Sequence, residues 1–263
     1  MRINAISNTS YPTKSNTFGS YRREVTKRKL FKETLSHRND TSFFRDNRLW
    51  TNLTGLLENK FKNAQKVNVY SYGCSEGSEA YTFVMSILAK LEDKKEKYLP
   101  VIAKDFDPHV IDLAKKRKQY FLTNTEIASI NENARSFYNR FFQEICPNFA
   151  YVSDELYDNV RFSVADINKD YKNIEPENSV VFVRNFWPYL KDDNARIGLL
   201  NKLYNQLAPG SLMIIGNFDR VGTDHAINEM IEKVGFRPTS VEYVYEKIEA
   251  DKVKQNANTI NFK

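Results

Sequence analysis

Short apolar runs alternate with stretches that repeat apolar residues every three to four positions along most of this 263-residue chain. Val67 to Tyr72 reads as a buried strand; Tyr81, Phe83, Val84, Ile87, Leu88 and Leu91 follow at the spacing of one buried helical face. Pro100 opens a second buried run, Val101 to Asp107, followed by a helical pattern from His109 to Tyr120. Two βα units in succession predict a mostly parallel sheet. From Phe121 to Asn159 the rhythm breaks into helical pieces (Glu126 to Phe142) and a polar-aromatic stretch near Phe149 to Val152, which predicts an insertion. It resumes with Val160 to Ala165, the strand-like Ser179 to Phe186, a helix over Asp192 to Leu207 and a strand-like Leu212 to Phe218. A last helix, Asp224 to Val234, stops at Gly235 before a strand over Ser240 to Ile248. Ahead of this core, Asp40-Thr41 reads as the N-cap of a helix through Phe43, Phe44, Leu49, Trp50 and Leu53.

Composition narrows the setting. Hydrophobic content of 41% and charged content of 27% are those of a globular protein. No apolar run approaches the roughly 20 residues that span a bilayer, and the N-terminus lacks a secretory apolar core, so a cytoplasmic monomer is expected. Cys74 and Cys146 stand apart without histidine neighbours, and His37, His109 and His225 occupy unrelated contexts, so neither a disulfide framework nor a metal site is expected. The net charge of +6 concentrates between Arg22 and Arg38, a basic helical segment that is a solvated face or a contact for an acidic partner. Aromatics do not interleave it at stacking positions, which disfavours nucleic acid. The expected division is a polar tail and basic helix over 1–39, one domain over 40–250 with an insertion at about 121–159, and a polar tail over 251–263.

The chemistry begins at the turn after the first strand, where Gly73 and Gly77 precede a helix N-terminus. Glycines let backbone approach a ligand, and the free N–H groups of a first helical turn favour anionic groups. Neither G-x-G-x-x-G nor a Lys-Ser or Lys-Thr pair is present, however, and Glu79 stands where a phosphate site wants a cation. That favours a ligand with hydroxyls and positive charge, such as S-adenosylmethionine. Asp105, at the end of the second strand, suits ribose hydroxyls, while Asp107 suits a helix cap beside Pro108. Asp166 ends a further strand as an acceptor for an adenine amine with Ile167 over the ring, or as a plain loop residue. Arg184 and Asn185 end the next strand, and Trp187, Pro188 and Tyr189 follow in a loop.

TSFFRD (Thr41 to Asp46), GCSEGSEAYT (Gly73 to Thr82), KDFDPHVIDLAKKRKQY, VRFSVADI and VVFVRNFWPYL together resemble the chemotaxis receptor methyltransferase (CheR) family, over roughly residues 40–216 and in family order. The resemblance implies an α/β fold of the Rossmann-like class I S-adenosylmethionine-dependent methyltransferases: a mostly parallel seven-stranded sheet with a small inserted β-subdomain. It also implies protein-glutamate O-methylation, with an acidic protein of the receptor-type helical kind as acceptor. By position it places Thr41, Arg45, Gly73, Gly77, Glu79, Asp105, Asp166, Ile167 and Asn185 at the cofactor and gives Arg45 and Tyr189 the catalytic roles. The chain departs from the family's Gly-Glu-Glu-Pro-Tyr-Ser at Ser78, Ala80 and Thr82, and has Asp166 where the family often has Asn. Alternatives are a methyltransferase of another acceptor, since Asn185 to Tyr189 is similar to an amino-methylating motif without its first proline, or an inactive cofactor-binding domain.

Overall fold

A computed structural model describes residues 41–116, 119–134, 137–221 and 227–249. The basic segment, Asp40, His225, the expected start of the last helix at Asp224 and the C-terminal tail lie outside them. Ten strands follow one another among the described residues: β1 (Asn68–Tyr72), β2 (Val101–Asp105), β3 (Gln119–Phe121), β4 (Phe142–Cys146), β5 (Phe149–Val152), β6 (Val160–Val164), β7 (Ser179–Val183), β8 (Leu212–Ile214), β9 (Phe236–Pro238) and β10 (Val244–Lys247). The longer helices are α1 (Asn47–Lys60), α2 (Ser78–Lys90), α3 (Pro108–Lys115), α4 (Asn124–Asn133), α5 (Asp193–Gln206) and α6 (Ile227–Val234).

Seven strands form one sheet in the order β6-β2-β1-β7-β8-β10-β9. Its first five pair in parallel, and β10 runs antiparallel to both β8 and β9. Every residue of β7 is buried, as a central strand covered on both faces requires. Period-two alternation divides the core. Val69 and Phe182 join Leu49, Trp50, Phe83 and Val84 on one face, whereas Tyr70, Tyr72 and Val181 join Leu199, Leu203 and Ile231 on the other. Trp50 stacks on Phe182 with ring centroids 5.7 Å apart, which fixes α1 against the centre of the sheet.

Between α3 and β6 the chain builds a separate three-stranded antiparallel sheet, β3-β5-β4. The helical pattern expected to run to Tyr120 gives way earlier: α3 ends at Lys115 and Tyr120 lies in β3, where its hydroxyl donates to the Glu76 carbonyl at 2.5 Å. The helix expected from Asp40 starts instead at Asn47. Phe43 and Phe44 form a turn before it, with φ of +53° at Phe44 and +63° at Asp46. Both Phe amides have tertiary acceptors: Phe43 N–H donates to Glu126 Oε1 and Phe44 N–H to Thr82 Oγ1, each at 3.1 Å. The Phe43 ring packs edge-on against Tyr120 and Phe142, a burial that a continuous helix would forfeit. At the far end the expected strand shortens to Val244–Lys247, and β9 pairs with it where the sequence pattern shows no strand.

Candidate functional site

The strand order reverses between β1 and β7, the position at which open α/β sheets hold ligands beyond their carboxyl ends. A cavity of about 670 Å³ opens there, within the range of small-molecule sites. Thr41, Arg45, Gly73, Glu79, Asp105, Asp166, Ile167, Asn185 and Tyr189 all line it. Gly77 does not. It begins α2 with φ +100°, and a Cβ there would stand 2.7 Å from the Phe162 ring, so glycine at 77 serves the backbone of the turn.

Asp105 is buried at the end of β2. Its Oδ2 accepts from Ser75 N–H at 2.9 Å and its Oδ1 from Asp107 N–H at 3.0 Å. Burial pushes its carboxyl above the usual range, and those backbone donors oppose the rise. Asp107 caps α3 through His109 N–H at 2.8 Å, the role expected of it beside Pro108. Asp166 both lines the cavity and caps the short helix Ile167–Asp170, accepting from Asn168 N–H at 2.9 Å.

Glu79 sits on the first turn of α2, where its carboxylate accepts from Ser71 Oγ and from Arg184 Nη1, each at 2.9 Å. Burial raises its pKa and the Arg184 charge offsets part of that. Arg184 also reaches Asp46 Oδ2 at 2.7 Å and the Arg45 carbonyl at 3.1 Å, with its guanidinium 5.4 Å from the Trp50 ring centroid. One buried arginine thus ties the Thr41–Asp46 loop, α2 and the end of β7 together. Asn185 follows in the left-handed region at φ +62°, and its buried Oδ1 has no hydrogen-bond partner. Tyr189 is 46% exposed, its ring 5.8 Å from that of Phe218.

Two contributors were not read from the sequence. Tyr72 lines the cavity while its hydroxyl donates to Asp170 at 2.5 Å, and Lys104 pairs with the same carboxylate at 2.6 Å. Aromatic residues at the end of a strand were the available signal. Asp219 is fully buried beside the Asn185 loop, where it accepts from three backbone N–H groups. Nothing in the local sequence marks it, because two of its three partners arrive from the loop after β7.

A doubly covered parallel sheet, a glycine turn without a phosphate cradle and carboxylates at successive strand ends define a nucleoside-binding α/β domain. The family model described as "CheR methyltransferase, SAM binding domain" matches residues 39–236, and the chain belongs to that family. Its cofactor is S-adenosylmethionine. Chemotaxis protein methyltransferase 2 of Vibrio cholerae serotype O1 (strain ATCC 39315 / El Tor Inaba N16961) is 24% identical over 184 residues, which is 68% of this chain. The match spans 61% of that relative's length. Among solved structures, a TehB-like SAM-dependent methyltransferase from Corynebacterium glutamicum superposes with a TM-score of 0.41 at 13% identity, covering 88% of this chain and 100% of that one. The amino pentose methyltransferase CalS10 from Micromonospora echinaspora gives 0.39 at 11% identity, covering 70% of this chain and 54% of that one.

Proposed function

We propose that this chain transfers the methyl group of S-adenosylmethionine to a glutamate carboxylate of an acidic protein segment. The observation that carries this reading is the balance of charge in the cavity wall. Arg45 and Lys191 line it with Tyr189, no histidine stands among the described lining residues, and the acids Glu79, Asp105 and Asp166 each already accept hydrogen bonds within the protein. A carboxylate with an ordinary pKa of about 4.3 is a ready anion at neutral pH and needs no base. An amine acceptor would need one. The name of the Vibrio cholerae relative supports an acceptor of the chemotaxis type.

The residues present fit the cofactor. Asp105, held in place by two backbone donors, keeps lone pairs for a pair of ribose hydroxyls, and Asp166 with Ile167 suits an adenine amine and ring. The unpartnered Oδ1 of Asn185 offers an acceptor to a ligand N–H. Thr41 and Gly73 complete the wall, and Glu79 supplies negative charge on the side of a cationic ligand. The bound cofactor supplies a sulfonium methyl that is open to in-line displacement. Arg45 and the Tyr189 hydroxyl orient the incoming carboxylate toward that methyl, so the protein contributes positioning and exclusion of water.

Incubating the chain with labelled S-adenosylmethionine and bacterial lysate tests this. Base-labile label in protein, the behaviour of a carboxyl ester, is expected. Base-stable label, or label in nucleic acid, would overturn it.

A further inference from the structure

The loop after β7 and the loop after β8 meet on one buried carboxylate. Asp219 Oδ2 accepts from Asn185 N–H at 2.6 Å and from Gly216 N–H at 2.7 Å, and Oδ1 accepts from Trp187 N–H at 3.2 Å. The side chain contacts neither cavity nor solvent. Asn185, Pro188 and Tyr189 nevertheless line the cavity, and each lies within four residues of an amide that Asp219 holds. Asn185 is a non-glycine residue with φ +62°, a conformation that persists only when its surroundings impose it. Gly216 supplies the rest of the constraint, since a Cβ there would stand 2.2 Å from Asn185 Oδ1. The neighbouring Phe218 ring lies 5.8 Å from that of Tyr189.

Building on the methyl-transfer reading, we propose that Asp219 is a positioning residue: its carboxylate clasps the exits of β7 and β8 and so sets Asn185 and Tyr189 in the cavity wall. Three backbone donors converge on an acid that lies outside the cavity lining. Burial pushes its carboxyl up to about 6, and the three donors only partly oppose the rise. An apolar side chain in this place would leave three buried N–H groups without acceptors. A carboxylate is required because one oxygen must accept from two N–H groups while the other accepts from a third. An asparagine would turn its amide donor toward at least one of them.

The test compares wild type with Asp219→Asn and Gly216→Ala, reading hydrogen exchange at the Asn185 and Trp187 amides, S-adenosylhomocysteine affinity by calorimetry, and methyl transfer. In Asp219→Asn both amides are expected to exchange at least tenfold faster, the dissociation constant to rise about tenfold and transfer to fall more than tenfold. Gly216→Ala pushes on Asn185 from the opposite side with the carboxylate intact, and is expected to weaken affinity by a similar factor. If Asp219→Asn does not fold, Asp219→Glu, which keeps a carboxylate but moves it by one methylene, is read in its place, and the same exchange, affinity and transfer outcomes decide. Faster exchange with affinity and transfer within twofold of wild type would overturn the clasp as a positioning device. Affinity is read without turnover, so an absence of transfer in the wild type would sink the methyl-transfer reading and leave the clasp to be judged by binding.

Discussion

Arg184 Nη1 lies 2.9 Å from Glu79 Oε2, joining the end of β7 to the first turn of α2 through a pair with almost no solvent exposure on the arginine side. The same guanidinium holds Asp46 at 2.7 Å. Replacing it by methionine strands two carboxylates in a buried setting. Arg184→Met is therefore expected to lower the unfolding free energy by about 3–5 kcal/mol. Arg184→Lys, which keeps the charge but cannot fork between both acids, should lose less. Chemical denaturation measures both. A loss under about 1 kcal/mol in the methionine variant would show that the clamp contributes little.

Arg45→Ala and Tyr189→Phe bear on the transfer step. Both side chains line the cavity, and each removes a donor that would hold an acceptor carboxylate in line. Initial rates of methyl incorporation should fall by about 100-fold or more in each, the scale of losing one preorganised donor. Wild-type rates in both would remove them from the mechanism.

Gly77→Ala tests the turn rather than the chemistry. The new methyl meets the Phe162 ring at 2.7 Å and the backbone sits at φ +100°. Strain and overpacking together should destabilise the protein by about 1–3 kcal/mol, seen as a lower thermal midpoint. An unchanged midpoint would mean that Phe162 gives way freely.

Asp219 predicts a pH signature. Its carboxyl rises from 3.8 to about 6 on folding, with Arg184 the facing charge that opposes the rise. The folded chain binds this proton more tightly than the unfolded one. Its contribution to stability is thus fully present below about pH 3.8 and is lost as pH climbs through about 6. The stability advantage of wild type over Asp219→Asn should therefore grow by about 2–3 kcal/mol between pH 7 and pH 4. Urea unfolding across that range measures it, and a constant or shrinking difference would contradict the raised value.

Much of this was legible in the chain because the central strands are covered on both faces. β7 reads as a short apolar run and β1 and β2 as short largely buried ones, and the polar residues at their carboxyl ends gather on one cavity because the strands run parallel. Glu79, Asp105, Asp166, Asn185 and Tyr189 stand together although up to 110 positions of sequence separate them. What failed to show was decided at long range. Phe43 and Phe44 carry a helical pattern, yet their amides find acceptors 83 and 38 residues away. β9 pairs with β10 along an antiparallel edge, and of the two only β10 carried a strand pattern. Asp219 looks like any acid in a short helix until β8 is laid beside β7.

The Arg184 clamp also bears on how the cavity comes into being. Its bonds to Asp46 and to the Arg45 carbonyl close chain separations of 138 and 139 residues. The entropy of closing such loops must be met before those contacts return anything, so they belong to the late part of assembly. β1 and α2 are sequence neighbours and form early by comparison. The cofactor cavity is accordingly a feature of the finished fold alone: a half-folded chain would display the glycine turn and the Glu79 helix with one wall still missing.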